Sequence, residues 1–437
     1  MNNKMTLKTF IQKAVCPYQC IETCESMLSG AGFLPLSLTT QWKLEQGKSY
    51  YVNAYGTSLF SFYIPEISDF SKLNFRIASA HTDFPCFRIK PKAEMREQSY
   101  LKLDVEAYGG AVLASWLDRP LSIAGKIVLK SSDPFRPDIR LWDYQKPLLT
   151  IPGLAIHMNH QINKGVEYNK QTELLPLFGM LSENTEPEHY FLSFLAKNLN
   201  TKIEDILDFD LYVYNAEEPV YLGENREFFS SPRLDNQTSV FACLNGIQFC
   251  QDVANETKVK DFIPVIALYD NEEVGSRSKQ GADSMLTNYI LKKIWKGLSI
   301  PDADFEEGLF RSFLVSLDVA HAYHPNFPSK CDPCLKPQLS KGVILKYDST
   351  QRYAYDVTAM SIIKQILTAN QIPYQCFVNR SDVPGGSTLG AISSSWLPVP
   401  AVDMGVGLLS MHSCRELMGT ADQDALNRFV EGYFTTY

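Results

Sequence analysis

The sequence predicts an α/β fold with a β-rich domain inserted into it. Two patterns carry that expectation. Short apolar runs that stop abruptly at polar residues alternate with segments of helical period, as strands and helices layered on a sheet require. Between about residues 89 and 225 the pattern changes to a period of two with turn-rich connections, which suits strands with one wet face. The α/β part is therefore expected to be discontinuous, over 1–88 and 226–437, with 89–225 as the insert. A chain of 437 residues fits this division, taking roughly 100–200 residues per domain.

Taken in chain order, the run 75–80 ends in His81-Thr82-Asp83. In the insert, Leu101, Leu103, Val105 and Ala107 alternate with Lys102, Asp104 and Glu106, and further short β-like runs stand at 126–130 and 211–214. Residues 238–253 place apolar side chains three and four apart and read as a helix packed on the sheet. The run 265–269 leads into Asp270-Asn271-Glu272-Glu273, and 313–317 leads into Asp318. A second helix is expected over 353–369, and the run 399–402 leads through a glycine-containing loop to His412.

Composition narrows the function. With 45% hydrophobic and 21% charged residues the chain has material for packed cores, and its net charge of −8 argues against binding nucleic-acid phosphates. No run approaches the roughly 18 apolar residues of a membrane helix, and residues 1–10 carry no secretory pattern, so a cytoplasmic protein with no membrane partner is expected. Ten cysteines should then be reduced. Cys16, Cys20 and Cys24 recur every fourth residue and read as an apolar helix stripe. Cys331 and Cys334, with Pro333 between them, read as two thiols in a loop. Gly405-Val406-Gly407 lacks the last glycine of a dinucleotide fingerprint and is set aside.

Ligands of open α/β sheets gather beyond the carboxyl ends of the strands. The polar residues at the run ends are His81, Asp83, Glu272, Glu273, Asp318 and His412, and Asp235 stands just before a helix in Pro232-Arg233-Leu234-Asp235-Asn236. Two imidazoles among several carboxylates are the donors of a catalytic zinc site rather than a cysteine-rich structural one. Two divalent ions about 3.5–4 Å apart need a bridging carboxylate and enough further ligands for each, and they relieve repulsion among clustered acids. Successive side chains leaving a strand point to different sides, so one member of Glu272-Glu273 can hold metal while the other faces a metal-bridging water as general base. His321 and His324, three residues apart, are equally well supporting hydrogen-bonders, and Gly385-Gly386 is equally well a tight turn.

At these positions the chain resembles the M18 family of zinc aminopeptidases, the aspartyl aminopeptidase-like enzymes. The resemblance lies in Ala78-Ser79-Ala80-His81-Thr82-Asp83, Tyr108-Gly109-Gly110, Trp116-Leu117-Asp118-Arg119-Pro120-Leu121 and Leu154-Ala155-Ile156-His157. It continues in Arg233-Leu234-Asp235-Asn236, Asp270 to Ser276, Asp318 to Asn326, and Met411-His412-Ser413-Cys414-Arg415-Glu416. The resemblance implies a zinc-exopeptidase-type α/β/α sandwich with an inserted dimerisation domain, two Zn²⁺ per subunit, peptide substrates, and a tetrahedral dodecamer built from dimers. It implies Asp235 as the bridging ligand, His81 and Asp318 completing one site, Glu273 and His412 completing the other, Glu272 as general base, and Asp83 orienting His81.

It further implies His157 and Lys346 as substrate contacts, a pair suited to an acidic N-terminal residue. Cys16-Pro17-Tyr18-Gln19 lacks a histidine that the family often has there, and Phe84 stands where a small residue is common. Another dizinc amide hydrolase and a non-catalytic assembly scaffold are the alternatives. The first would act on substrates without a free amine, and the second predicts assembly without chelator-sensitive hydrolysis.

Overall fold

The apolar runs gather into one nine-stranded sheet in the computed structural model, which describes residues 5–183, 186–253, 261–383 and 385–436. Residues 1–4 of the N-terminal stretch considered above lie outside the described residues. The strand order is Leu34–Leu36, Lys48–Ala54, Ser58–Ile64, Phe262–Tyr269, Asn74–His81, Phe313–Leu317, Ala401–Gly405, Val343–Tyr347 and Tyr374–Val378. Four neighbours at its centre, Phe262–Tyr269 through Ala401–Gly405, run parallel. Their register sets Tyr269 opposite His81, Ser79 opposite Ser316 and Leu317 opposite Met404, so their carboxyl ends finish at one edge of the sheet.

Both faces of this sheet are covered, which explains the continuous apolar runs. Along Asn74–His81, Ala78 and Ala80 belong to one core, and Phe75 and Ile77 to another. The first core is closed by the helices Leu234–Asp252, Val357–Ala369 and Asp422–Thr435, and the second by Leu286–Gly297 and Phe305–Phe310. The result is an α/β/α layering. Leu234–Asp252 and Asp422–Thr435 approach closely at Gly246, where a Cβ would stand 2.3 Å from Val430 Cγ1. Cys20 and Cys24 lie in the first core on the helix Pro17–Gly30, and all ten cysteines are free thiols.

The helix expected over 353–369 starts later, at Val357, because Asp356 caps it by accepting the N–H groups of Thr358 and Ala359 at 2.8 and 2.9 Å. Tyr353 and Ala354 are buried without being helical, which is what extended the periodic pattern backwards. A smaller five-stranded sheet joins Val220–Leu222, Phe228–Ser231, Glu416–Gly419, Gly407–Leu409 and Ala320–His321.

The chain forms two compact units, one of residues 1–83, 219–411 and 416–437, the other of 84–218 and 412–415. The second unit is built on a six-stranded antiparallel sheet ordered Asp138–Asp143, Leu121–Leu129, Ile206–Asn215, Cys86–Glu97, Tyr100–Tyr108 and Leu177–Met180. Leu101, Leu103 and Val105 are buried there while Glu106 faces solvent. The units divide at 84 and 219 rather than at 89 and 226, for a structural reason. Cys86–Glu97 is one continuous strand of the six-stranded sheet, whereas Val220–Leu222 pairs with Phe228–Ser231 in the five-stranded one. His412–Arg415 joins the second unit through Cys414, whose N–H donates to Ser115 Oγ at 2.8 Å and whose carbonyl accepts from Asn215 Nδ2 at 3.1 Å.

Candidate metal centre

Three of the four parallel strands deliver polar groups at their carboxyl ends. His81 is the last residue of Asn74–His81. Asp318 follows Phe313–Leu317 directly and is held by its N–H, which donates to Met404 O at 2.9 Å. After Phe262–Tyr269 the chain turns at Asn271, φ 65°, into a short 3₁₀ turn that presents Glu272 and Glu273. Asp235 sits in the first turn of Leu234–Asp252, behind Arg233 at φ 60°, and neither it nor Asn236 has helical dihedral angles. The Asp235–Asn236 peptide bond is cis.

His81, 1% exposed, is the hub. Its Nε2 lies 3.3 Å from Asp235 Oδ1 and 3.5 Å from Asp318 Oδ1. Its Nδ1 is 3.1 Å from the Asp83 carbonyl oxygen and 3.4 Å from Asp83 Oδ1. With Nδ1–H donating to that carbonyl, the Nε2 lone pair faces the two carboxylates and is available to a cation. The Asp83 carboxylate has a second task that spacing did not disclose. Oδ1 accepts the N–H of Glu272 and Oδ2 the N–H of Glu273, both at 3.1 Å, so this one fully buried side chain holds both glutamates.

Ligand atoms of His81, Asp235 and Asp318 lie within 4.8 Å of one another, and so do those of His81, Glu272 and Glu273. Burial pushes the Glu272 carboxyl up to about 8; His81 opposes the shift, and Asp318, Asp83 and Asp235 add to it. Burial disfavours a charged His81, yet Asp235, Asp318 and Asp83 hold its ring well above the usual histidine range. At Glu272 the neighbouring carboxylates reinforce burial and at His81 they override it, so at both groups the crowded acids favour positive charge, as a proton or as a cation. The donors are imidazole nitrogen and carboxylate oxygen, with no thiolate among them, which fits a catalytic zinc centre.

Lys346 is buried, 2% exposed, with Nζ 3.3 Å from Asp318 Oδ2. Burial would raise the Asp318 carboxyl, but Lys346 and His81 hold it below the ordinary carboxylate range. Its ammonium thus faces a carboxylate of the cluster. His157 and His412 both belong to the second unit. His157 is exposed, and the ring Nδ1 of His412 lies 3.2 Å from Gly110 O. His321 and His324 line a cavity of about 330 Å³ together with Phe327, Phe377 and Gly385. Gly405 and Gly407 lie in two different strands.

Sequence reasoning missed Gln237, which donates Nε2 to Thr82 O at 3.0 Å, and gave no task to Asn236 or Glu416. All three stand in or beside stretches already singled out, but a polar side chain bonded to a distant carbonyl leaves no periodic trace.

The family model for "Aminopeptidase I zinc metalloprotease (M18)" matches residues 10–434. Among curated proteins, "Probable M18 family aminopeptidase 2" of Clostridium novyi (strain NT) is 41% identical over 97% of this chain and 97% of its own length. "Aspartyl aminopeptidase 4" of Saccharomyces cerevisiae is 34% identical over 98% of this chain and 94% of its own. Among solved structures, the chain in "Cryo-EM structure of the Ape4 and Nbr1 complex" superposes with a TM-score of 0.93 at 31% identity, covering 98% of this chain and 84% of that one.

Proposed function

The chain belongs to the M18 family of zinc metallo-aminopeptidases, and from that premise we propose that it removes the N-terminal residue of peptides at a two-zinc centre with Glu272 as general base. The observation that carries the reading is that buried His81 joins two groups beside the carboxyl ends of the parallel strands, one with buried Asp235 and Asp318 and one with half-buried Glu272 and Glu273. In this reading Asp235 would be the ligand shared by the two ions, His81 and Asp318 would complete one set, and Glu273 and His412 the other. Bound zinc polarises the scissile carbonyl and lowers the pKa of water toward neutrality.

Glu272 takes the proton of the attacking water and delivers it to the leaving amine. Asp83 holds that base in place through the Glu272 N–H and keeps the His81 ring oriented through its own carbonyl. Because the Lys346 ammonium already faces Asp318, we assign it to holding Asp318 as a carboxylate. A preference for acidic N-terminal residues is then a separate question, decided by rates on Asp-, Glu-, Leu- and Lys-anilides; equal rates remove it.

Assembly of copies, with the dodecamer as its family form, is supported by exposed apolar side chains in the second unit, where Phe135 is 95% and Met158 75% exposed. A cytoplasmic site of action is supported by the ten free thiols. Among the described residues no helix is long and apolar enough to cross a membrane.

The deciding experiment is Glu272→Gln, with zinc content measured beside turnover. Zinc should stay bound while hydrolysis falls roughly 10²–10⁴-fold. Full activity in that variant rejects Glu272 as the base. Blocking the amine of a test peptide should also stop hydrolysis, and continued cleavage would point instead to another amide hydrolase.

A further inference from the structure

Three buried side chains outside the ligand set tie the stretch that carries Asp235 to its surroundings, one from a distant strand and two from the stretch itself. Glu416, 2% exposed at the start of Glu416–Gly419, accepts the Asp235 N–H on Oε2 at 3.0 Å. Asn236, fully buried, donates Nδ2 to Leu317 O at 2.8 Å, one residue before Asp318. Gln237, also fully buried, donates Nε2 to Thr82 O at 3.0 Å, one residue after His81, and is itself held by Cys20, whose thiol donates to its Oε1 at 3.2 Å.

The geometry has a reason. The first N–H groups of a helix have no partner within it, so the Asp235 N–H needs an outside acceptor in a buried place. A hydroxyl or carbonyl would suffice for that alone. A carboxylate accepts more strongly, yet it adds negative charge beside a centre already crowded with acids, an arrangement that cations in the centre would relieve. Meanwhile the two amides tie the Asp235 stretch to the carbonyls adjoining Asp318 and His81, so three ligand-bearing segments from distant parts of the chain are cross-linked through their backbones.

We propose that Glu416, Asn236 and Gln237 are positioning residues of the metal centre, forming a brace that sets Asp235 against the strand ends bearing Asp318 and His81 before metal arrives. The proposal rests on the zinc-centre reading above. Groups that orient ligands from behind typically change metal affinity 10- to 100-fold when removed.

The test is the zinc dissociation constant of the full chain, measured by competition with a chromophoric chelator, beside the melting temperature of the metal-free protein. Glu416→Ala and Asn236→Ala should each weaken zinc binding about 10- to 100-fold. Glu416→Gln should restore most of the affinity, because its amide oxygen can still accept the Asp235 N–H. Wild-type zinc affinity in both alanine variants, with only the melting temperature lowered, is the signature of a merely structural role and overturns the proposal. Should Glu416→Ala fail to fold, Asn236→Ala and Gln237→Ala decide the matter by the same constant. A wild-type chain that binds no zinc overturns the metal centre itself, and is thereby distinguished from a failure of the brace alone.

Discussion

Replacing Asp83 by asparagine isolates what its carboxylate does, because size and shape are kept while one acceptor oxygen becomes a donor. In the native chain both oxygens are used, Oδ1 on the Glu272 N–H and Oδ2 on the Glu273 N–H, each at 3.1 Å, in a place without solvent. Asparagine can satisfy only one of them and turns an NH₂ group toward the other. A hydrogen bond to a charged partner contributes about 1.5–3 kcal/mol, and leaving a buried N–H unsatisfied costs about 1–3 kcal/mol. These overlap, so a loss of about 2–4 kcal/mol is expected, falling on the turn that aims Glu272.

If half or more of that loss is felt in the transition state, kcat/KM drops between about fivefold and a thousandfold, at 1.36 kcal/mol per decade. The assay is steady-state hydrolysis of an aminoacyl anilide at saturating zinc, with bound zinc counted in the same preparation. A variant that keeps its zinc and retains kcat/KM within about threefold of wild type would refute the reasoning, since the two N–H bonds would then have no bearing on the base.

Three further outcomes follow from the same structure. Lys346→Met removes one partner of a buried pair and leaves Asp318 without its cation, so chemical denaturation of the metal-free protein should show a loss of about 3–5 kcal/mol; unchanged stability would return Lys346 to a substrate role. Gly246→Ala gains about 1 kcal/mol of helix propensity but sets a methyl 2.3 Å from Val430 Cγ1, and overpacking costs about 1–3 kcal/mol, so urea midpoints should fall; a rise would show that the two helices part easily. Burial pushes the Asp422 carboxyl up to about 6 against the N–H groups of Ser340, Gly342 and Gly419. A carboxyl raised on folding stabilises the fold below its unfolded pKa near 3.8, and that contribution is lost as pH rises through about 6, by about 3 kcal/mol at 1.36 kcal/mol per pKa unit. Asp422→Asn should lack this decline, and parallel pH–stability curves for the two proteins would reject it.

The layers of the fold were legible because they rest on repeating patterns. Buried parallel strands must be apolar on both faces, and 265–269 and 313–317 announce themselves by short apolar runs, the second broken only by Ser316. Likewise Leu101, Leu103 and Val105 announce a half-buried strand by alternation. Where a boundary was misplaced, a residue was buried for reasons other than its own element, as Tyr353 is ahead of the helix Val357–Ala369.

By itself the sequence determined which chemical groups stand at strand ends: an imidazole at His81, carboxylates at Asp318, Glu272 and Glu273, and a further carboxylate at Asp235 near a helix start. Composition and order along the chain are local properties, and they suffice to name donors. Only the tertiary structure decided that His81 Nε2 stands within 3.5 Å of both Asp235 and Asp318, that Lys346 turns to Asp318, and that Asp83 holds two glutamates nearly two hundred residues away. Those facts depend on strand register and on single hydrogen bonds between segments remote in sequence, and neither leaves a period or a composition that a one-dimensional reading can detect.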